Sequence, residues 1–418
     1  METPAAVPEQ EIGFAAQRID SRALDIVETL NEAGHEAYVV GGGVRDILLD
    51  ARPKDFDVAT SARPEEVRKL FRRARLIGRR FPIVHVLYGR DFVEVTTFRA
   101  LEGEDRQIHE SGRILHDSTY GTLAEDALRR DFTVNALYYD PHARQVLDFT
   151  GGLTDIEARL IRLIGVPHVR FREDPVRMLR ALRFAAKLGF ALDPETEAPL
   201  RELAPLLADI APARLFEEFG KLFLAGKALA TYLALRRYGL FAQLFPLTEE
   251  VLAAEPEGAT VRFVEAALGN TDERVAAGEP VTPGFLLAAF IWPPVLRYAA
   301  WLQGEGMGEA TAIQRATSVI LGECAKRVTV PRRFAQPLRE ILQLQTRFRY
   351  RHGKRAENLL AHPRFRAAYD FLKLRAAAGD GDPTQVEFWT EMQSASPERR
   401  KALLTPSRGG NRWRGSQA

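Results

Sequence analysis

Two aspartates of the segment KDFDVAT, Asp55 and Asp57, have the type and spacing needed to hold a cation. Successive side chains of a strand point to opposite faces, so a strand over 55–58 places both carboxylates on one face and Phe56 in the core. Two carboxylates this close raise each other's pKa unless a cation lies between them. Mg²⁺ fits this pattern, because it binds through one or two carboxylates plus the phosphates of a substrate. The alternative is that the pair only ends a strand at a polar edge.

A run of three glycines precedes these aspartates and could face an anion. Gly41, Gly42 and Gly43 lie between an apolar stretch and the start of a short helix, where backbone N–H groups can point at a phosphate. Arg45 adds a phosphate donor, which Asp46 could orient. The run is neither G-x-G-x-x-G nor a P-loop, since no GK[ST] follows, and a tight strand-to-helix turn also explains it. A phosphate site followed by paired carboxylates suits a nucleotide–metal complex.

The elements that must position these residues alternate between strands and helices in the first part of the chain. Sequence periodicity predicts strands over 37–40, 55–58, 84–88 and 92–98 and helices over 23–33, 44–49 and 64–73. If the strand of Glu94 lies beside that of Asp57, Glu94 could complete the metal site, although a half-exposed strand explains it too. From residue 124 helices dominate, beginning with 124–138 and 174–188. The predicted fold class is α+β, a small α/β unit followed by an all-helical remainder.

Five motifs in order resemble the class II tRNA nucleotidyltransferase/poly(A) polymerase family: GGGVRD, KDFDVAT, RRDFTVNALYYD, FTGGLTDIEARLIRLIG and REDPVRMLRALRFAAKLG. Within the family, GRRFPIVHV followed by VEVTTFR is similar to the bacterial polyadenylating branch, as is QLQTRFRYRHGKRAENLLAHPRFRAAYDFLKLRA. The CCA-adding branch more usually has an HGTVTV-like stretch where this chain has PIVHVLY. The resemblance covers most of residues 35–378, and the chain departs from it mainly in a short basic tail.

The resemblance implies a role for each matching residue. It makes Asp55 and Asp57 the catalytic carboxylates that bind two Mg²⁺ ions, and it adds Asp131 to the catalytic set. The residues expected to contact the nucleotide are Gly41, Gly42, Arg45, Arg130, Asn135, Asp174 and Arg177. Asp174 and Arg177, at i and i+3 of one helix, would present hydrogen-bonding edges to the base of ATP. The plainer alternatives are a solvated ion cluster around Asp131 and a helix cap at Asp174.

Composition and the resemblance together predict an order of domains along the chain. The predicted segments are a disordered N-terminus (1–20), a nucleotidyltransferase head with a small mixed sheet (21–150), a helical neck (151–215), a helical body (216–330), a basic helical RNA-binding region (331–393) and a disordered basic tail (394–418). The neck is expected to read the base.

The net charge of +2 hides an uneven distribution. From residue 331 to the C-terminus there are 18 Lys and Arg against 8 Asp and Glu, whereas the rest of the chain has 40 against 48. Such asymmetry indicates contact with a nucleic acid or a membrane surface. Cations interleaved with Phe348 and Tyr350 suit single-stranded RNA; a solvated helix face with core aromatics is the alternative. The residues expected to bind RNA are Arg347, Arg349, Arg351, Lys354 and Arg355.

The family resemblance and the basic C-terminal region together imply template-independent transfer of AMP from ATP to RNA 3′ ends. The alternatives are a CCA-adding tRNA nucleotidyltransferase and a non-catalytic RNA-binding protein. The single cysteine, Cys324, excludes an intramolecular disulfide, and the start of the chain does not read as a signal peptide. The apolar run at 284–296 is too short to span a bilayer. We therefore expect a cytoplasmic monomer without a membrane contact; RNA-degradation machinery and an RNA chaperone are partners implied by the resemblance alone.

Overall fold

The computed structural model describes residues 3–78, 82–101, 107–108, 114–116 and 119–405. The chain forms two compact units, residues 1–207 and 208–418. The strands found in these ranges belong to the first unit: β1 (Ala5–Pro8), β2 (Ala37–Val40), β3 (Asp57–Thr60), β4 (Ala74–Ile77), β5 (Ile83–Tyr88), β6 (Asp91–Thr97), β7 (Gln107–Ile108), β8 (Ile114–His116), β9 (Leu137–Asp140), β10 (Gln145–Asp148), β11 (Leu160–Ile161) and β12 (Ala191–Leu192).

The helices divide between the two units. Those of the first unit are α1 (Ser21–Glu32), α2 (Gly42–Leu48), α3 (Pro64–Leu70), α4 (Leu123–Arg129), α5 (Gly152–Glu157), α6 (Pro167–Glu173), α7 (Val176–Leu188), α8 (Pro194–Glu197) and α9 (Leu200–Leu203). Those of the second are α10 (Pro212–Phe223), α11 (Ala228–Arg237), α12 (Leu240–Leu244), α13 (Pro246–Ala254), α14 (Ala259–Ala276), α15 (Pro283–Gly304), α16 (Glu309–Ala325), α17 (Arg332–Leu344), α18 (Gly353–Leu360), α19 (Phe365–Ala378), α20 (Pro383–Ser394) and α21 (Pro397–Leu404). Single turns of 3₁₀ helix lie at Ala16–Arg18, Thr133–Asn135 and Gln345–Arg347, and a longer one at Ala204–Asp209.

Eight strands form one mixed sheet in the order β1-β10-β9-β2-β3-β6-β5-β4. Within this sheet β3 and β6 run parallel and the other neighbours run antiparallel. The register aligns one residue from each of four strands, with Val40 opposite Asp57, Asp57 opposite Glu94, and Glu94 opposite His85. We call these four residues the carboxylate row. The predicted α+β class with a mixed sheet is confirmed.

The two faces of the sheet differ in what covers them. On one face, the apolar side of α1 packs on alternate strand residues such as Val58, Val93 and Val95, which are fully or almost fully buried. The opposite face carries Asp57 and Glu94 and is partly covered by a smaller cluster that includes Ala59, Phe98 and Tyr138. The period of two along β3 and β6 therefore separates the apolar core from the acidic side chains.

The prediction of a disordered N-terminus is wrong for residues 3–20. Strand β1 pairs antiparallel with β10, and Phe14 is buried in the core with its ring 4.6 Å from that of Tyr139. Glu9 is buried as well, where it accepts a hydrogen bond from Tyr139 Oη over 2.6 Å and pairs with Arg144. Long-range pairing orders this segment, and a Pro- and Ala-rich composition does not reveal it.

The helix predicted over 124–138 is also wrong beyond Arg129. Helix α4 begins with a capping box between Thr122 and Glu125, and the backbone at Arg130 is extended. A 3₁₀ turn and strand β9 follow, and the first three residues of β9 are buried between its two neighbouring strands. Buried strands lack the alternation that identifies a half-exposed strand, so their apolar run imitates a helix.

Two further predicted boundaries are displaced. Strand β3 begins at Asp57, so Asp55 lies in the preceding loop and the two carboxylates are not strand neighbours on one face. Helix α7 begins at Val176 because Asp174 has an extended backbone and Pro175 is the N-cap. A residue before proline is disfavoured in the helical region, which accounts for the break between α6 and α7.

The second unit is helical in its described part, and its core is rich in aromatic residues. Phe290 of α15 contacts the rings of Phe219, Phe223, Phe241 and Phe245 at centroid distances of 5.0–5.9 Å. Helix α15 has the length and apolar composition of a membrane span, but 67% of its most apolar window is buried inside the protein, as in the core helix of a soluble domain.

The boundary between the units, after Leu207, lies inside the predicted neck. Of the predicted tail, residues 394–405 are ordered and contain the last residue of α20 and the whole of α21, which contradicts disorder there. The tail's remaining residues, 406–418, lie outside the described residues. The division into neck, body and RNA-binding region stays a prediction.

Candidate active site

The carboxylate row places Asp57 and Glu94 side by side on β3 and β6. This confirms that the strand of Glu94 neighbours that of Asp57. Asp55 lies two residues before Asp57, in the loop that leads into β3. Glu94 also contacts His85, with His85 Nε2 3.4 Å from Glu94 Oε1. Three acidic groups therefore converge at the start of the one parallel pair of the large sheet.

The surroundings of Asp57 disfavour its negative charge. Burial, followed by the charges of Glu94 and Asp55, raises the pKa of Asp57 to about 7, with the charge of Arg130 acting in the opposite direction. A cation bound between these carboxylates would relieve both the repulsion and the loss of hydration. The donor set of hard oxygen atoms fits Mg²⁺ in particular. Among the described residues no three acidic, histidine or cysteine side chains are arranged as a complete metal site, so a metal ion held here would take further ligands from substrate and water oxygens.

A cleft of about 830 Å³ opens at these carboxylates. Asp55, Asp57 and Glu94 line it together with the exposed ring of Phe92. Basic side chains also line it, namely those of Arg18, Arg22, Arg52, Lys54 and Arg90. The lining of the cleft therefore combines carboxylates, basic side chains and one exposed aromatic ring, a combination that suits a phosphate-bearing ligand.

The glycine loop, Gly41–Gly43, connects β2 to α2 and adjoins the carboxylate row. Gly41 has φ +80°, where a side chain would be strained, and its N–H donates to Leu137 O over 3.0 Å. That N–H is therefore not available to an anion, contrary to prediction. A methyl group on Gly43 would lie 2.6 Å from the ring of Phe56, so glycine is required for α2 to pack against the 55–57 loop. Gly42 and Gly43 supply the first N–H groups of α2, which have no acceptor within the helix.

Arg45 is not displayed to solvent as a free phosphate donor. Its side chain is 2% exposed and donates to Asp46 Oδ1 from Nε over 2.9 Å and from Nη2 over 2.5 Å. Its Nη1 donates to Asn135 Oδ1. Asp46 orients Arg45, as predicted, while a direct contact between Arg45 and phosphate stays a prediction. Arg45 thus links α2 to the turn that carries Asn135.

Asp131 lies between α4 and the 3₁₀ turn, and three groups converge on it. Its Oδ1 accepts from Asn135 Nδ2 over 3.2 Å and from the Phe132 N–H over 2.8 Å. Its Oδ2 accepts from Arg180 Nε over 2.7 Å. Burial alone would raise the pKa of Asp131, but Arg180 and these hydrogen bonds lower it to about 2. Asp131, Asn135 and Arg45 thus form one network, and Arg180 is a member that sequence reasoning missed.

Arg130 belongs to a second network, with Asp126 and Tyr138. Arg130 Nε donates to Tyr138 Oη over 2.8 Å, and Tyr138 Oη donates to Asp126 Oδ2 over 2.6 Å. A methyl group on Gly41 would lie 3.7 Å from Arg130 Nη1, so this nitrogen faces the glycine loop. Asp126 and Tyr138 were also missed, because the predicted helix over 124–138 hid the turn that brings them together.

The side chain of Arg177 contacts two residues of α6. Its Nη1 donates to Glu173 Oε2 over 2.9 Å and to Arg170 O over 2.8 Å. Arg170 in turn donates from Nη2 to the carbonyl oxygens of Arg129 and Arg130 over 2.6 and 2.7 Å. Burial, followed by the charge of Arg177, lowers the pKa of Arg170 to about 10, although Glu173 acts in the opposite direction. Glu173 and Arg170 thus connect the segment expected to read the base to the end of α4.

The five residues expected to bind RNA lie on the 3₁₀ turn after α17, in the following loop and at the start of α18. Lys354 and Arg355 are exposed, whereas Arg349 pairs with Glu309 and Arg351 with Asp382. Phe348 is fully buried, and its carbonyl accepts from Trp389 Nε1 over 2.8 Å. The prediction that Phe348 stacks on RNA bases is wrong, because this ring belongs to the core formed by α18–α20. Tyr350 is half-buried, with Arg349 and Arg355 over its ring.

Comparison with known proteins matches three family models to this chain. They are the Poly A polymerase head domain over residues 37–162, the probable RNA and SrmB-binding site of polymerase A over 189–252, and the polymerase A arginine-rich C-terminus over 305–417. The poly(A) polymerase I of Salmonella typhi is 45% identical over 407 residues, which cover 95% of this chain and 88% of that protein. The chain belongs to the poly(A) polymerase I family. It is an enzyme of the poly(A) polymerase class.

CCA-adding enzymes are also related to this member of the poly(A) polymerase family. The enzyme of Lactobacillus helveticus is 43% identical over 201 residues, which cover 48% of this chain and 49% of that protein. A solved structure of the Bacillus stearothermophilus CCA-adding enzyme in complex with CTP is 28% identical, with a TM-score of 0.55 over 90% of this chain and 82% of that one. The similarity to poly(A) polymerase I extends over about twice as much of the chain as the similarity to the L. helveticus enzyme.

Proposed function

We propose that this enzyme adds AMP from ATP to RNA 3′ ends without a template and releases pyrophosphate. The observation that carries the proposal is the carboxylate row, in which Asp57 and Glu94 lie together with the glycine loop on one side and an open cleft at the acidic residues. The bond between O3′ and the α-phosphorus forms as the bond to the bridging oxygen of the β-phosphate breaks, and the electron pair leaves with pyrophosphate. Similarity over 95% of the chain to a poly(A) polymerase I favours this reaction over CCA addition.

Asp55 and Asp57 are the residues that would hold two Mg²⁺ ions in this proposal. The raised pKa of Asp57 supports the assignment, because a site that disfavours its own charge is one that a cation stabilises. When bound, the metal lowers the pKa of the RNA 3′-hydroxyl and neutralises charge on the phosphates. Glu94 adds negative charge beside Asp57 and is itself held by His85.

The triphosphate would lie at the glycine loop. Arg130 Nη1 faces Gly41, and Asp126 and Tyr138 fix the position of that guanidinium. Gly42 and Gly43 offer one backbone N–H group each, and Asn135 is placed for the ribose by Asp131 and Arg45. Asp131 would then act by positioning: Arg180 and the Phe132 N–H hold its carboxylate, and its carboxylate holds Asn135.

The base of ATP would be read by Asp174 and Arg177. Glu173 and the carbonyl of Arg170 hold the Arg177 guanidinium, so its hydrogen-bonding edge has a fixed direction. Arg170 ties this segment to the last turn of α4, next to Arg130 and Asp131. Nucleotide selection is thereby coupled to the groups that hold the phosphates.

The RNA substrate would also contact the basic C-terminal region, where Lys354 and Arg355 are exposed and Arg347, Arg349 and Arg351 precede them in sequence. The model that matches residues 305–417 is named for its arginines, which supports this assignment. We place the enzyme in the cytoplasm as a monomer that promotes RNA turnover. RNA-degradation machinery and an RNA chaperone are partners to be tested.

The deciding experiment incubates the purified protein with Mg²⁺ and an oligoadenylate primer, and supplies ATP alone or CTP alone. A long ladder with ATP on this non-tRNA primer is the expected result. Incorporation that depends on CTP, requires tRNA and stops after three nucleotides would show a CCA-adding enzyme instead. RNA binding without any nucleotide incorporation would show a non-catalytic protein. The variant Asp57→Asn serves as the inactive control.

A further inference from the structure

An exposed aromatic pair lies on the carboxylate face of the sheet. Phe92 of β6 is 48% exposed, which is unusual for so large an apolar side chain beside an acidic cluster. Its ring stacks on the His85 imidazole of β5, with centroids 4.1 Å apart and planes inclined by 5°. His85 is held at its other side by Glu94, over 3.4 Å. The Phe92 ring is therefore fixed in direction and lines the cleft.

The order of the strands decides which substrate reaches this ring. Along the carboxylate row the glycine loop follows β2, Asp57 is on β3, Glu94 on β6 and His85 on β5. Neighbouring strands are about 4.8 Å apart, so the aromatic pair lies on the opposite side of the carboxylates from the glycine loop. In-line displacement puts the attacking and leaving oxygens on opposite sides of the α-phosphorus. If pyrophosphate leaves toward the glycine loop, the RNA 3′-hydroxyl arrives from the side of Phe92.

The charges around Phe92 complement a nucleic-acid backbone. Arg52, Lys54 and Arg90 are exposed and line the same cleft. Within the described ranges none of these three side chains has an ion-pair partner. Phosphate groups could therefore bind to them without breaking an existing ion pair. Of the cleft's acidic side chains, Asp20 and Asp91 are already paired with Arg22, and the others belong to the cluster of Asp55, Asp57 and Glu94. Exposed cations beside a fixed aromatic ring are the pattern of single-strand binding by stacking and backbone contact.

We propose that Phe92, supported by His85, is the platform on which the 3′-terminal base of the RNA primer stacks, with Arg52, Lys54 and Arg90 contacting its phosphates. The inference rests on the proposed function and adds the residues that position the attacking hydroxyl. Phe92 is a positioning residue, because it would hold the nucleotide that reacts and take no part in proton transfer.

The first test compares Phe92→Leu, which keeps an apolar side chain but removes the ring face, with Phe92→Tyr, which keeps the ring. In Phe92→Leu the KM for an oligoadenylate primer should rise about tenfold, as expected for loss of one stacked base, while the KM for ATP changes less than twofold. Phe92→Tyr should restore the primer KM. Leu76→Ala is the matched control, because Leu76 is 42% exposed on β4 and does not line the cleft. A primer KM within twofold of the unmodified enzyme in Phe92→Leu would overturn the proposal.

The second test measures stacking without catalysis, and its arm with the unmodified enzyme does not depend on how a variant folds. An oligoadenylate with 2-aminopurine at its 3′ end, added without ATP, should lose fluorescence on binding to the unmodified enzyme and lose much less on binding to Phe92→Leu. Absence of quenching in the unmodified enzyme contradicts the platform. The two proposals fail separately: no ladder from the unmodified enzyme removes the polymerase, whereas a normal ladder with no effect of Phe92→Leu removes only the platform.

Discussion

Arg180 of α7 donates to Asp131 from Nε over 2.7 Å, and the two residues are 49 positions apart in sequence. The pair joins the helix that follows the base-reading segment to the turn that carries Asn135. Because Asn135 is hydrogen-bonded to Arg45 of α2, a displacement of α7 is transmitted to the element that follows the glycine loop. The contact therefore links the two ends of the proposed nucleotide site.

Asp131→Asn should destabilise the enzyme in a manner that depends on pH. The pKa of Asp131 is lowered to about 2 from an ordinary value near 4, so its ionised form stabilises the folded state above pH 4, and this contribution is lost as pH falls from about 4 to about 2. The variant should lose about 2 kcal/mol of unfolding free energy at pH 7 and progressively less toward pH 2. Urea unfolding across this range measures the difference. Glu28→Gln, at an exposed site on α1, is the control, and a difference that does not vary with pH would contradict the assignment.

Asp57→Asn should abolish catalysis and yet stabilise the metal-free protein. Activity should fall at least 10²-fold, since a group that holds the reacting charges is lost. The melting temperature without Mg²⁺ should rise, because burial and the neighbouring carboxylates disfavour the charge that the amide removes. Added Mg²⁺ should raise the melting temperature of the unmodified protein more than that of the variant. A variant that melts lower without Mg²⁺ would argue against charge repulsion at this site.

Glu173→Gln should weaken discrimination between ATP and CTP. The substitution keeps the size of the side chain but removes the charge that holds Arg177 and Arg170. Charge-assisted hydrogen bonds contribute about 1.5–3 kcal/mol, so the ratio of kcat/KM for ATP over CTP should fall roughly tenfold or more. Glu202→Gln is the matched control, because Glu202 is exposed and contacts His168 and Arg172 only. If the ratio of kcat/KM for ATP over CTP were unchanged and activity were normal, the ion pair between Glu173 and Arg177 would have no part in base selection.

The double variant Lys354→Ala, Arg355→Ala should bind RNA with a weaker dependence on salt. Each phosphate contact to a single strand contributes about 0.7 to the slope of log K against log salt, so the slope should fall by about 1.4. The melting temperature should stay within about 1 °C, because both side chains are exposed. Fluorescence anisotropy with a short RNA at several salt concentrations gives the slope. Lys326→Ala, exposed and paired with Glu323, should leave it unchanged.

Phe348→Ala should instead act on stability. The ring is fully buried against Phe365 and Trp389, and truncation of such a ring costs about 3–5 kcal/mol. Chemical unfolding followed by tryptophan fluorescence should show the loss, since Trp389 donates to the Phe348 carbonyl. If the variant were as stable as the unmodified enzyme but had lost RNA affinity, Phe348 would belong to the RNA-binding surface and not to the core.

The sequence predicts the acidic cluster better than the groups that hold it. Asp55, Asp57 and Glu94 were identifiable because carboxylates among strand residues have few structural reasons to be there. Arg180, Asp126, Tyr138 and Glu173 were not, because the identity of such a side chain does not reveal which partner it contacts in the fold. The error over 124–138 has the same origin, since β9 is buried on both sides and its residues follow no period of two.

Strand β1 covers the hydrogen-bonding edge of β10, so its removal would expose that edge. A chain shortened past Pro8 would leave the backbone groups of β10 open to strands of other molecules, and it would take from Tyr139 the carboxylate of Glu9 that its hydroxyl contacts. If such shortened chains self-associated, the cause would be the uncovered sheet edge, and the result would not apply to the assembly of the unshortened enzyme. Residues 5–9 thus cover this sheet edge and hold Tyr139, so expression designs should retain them.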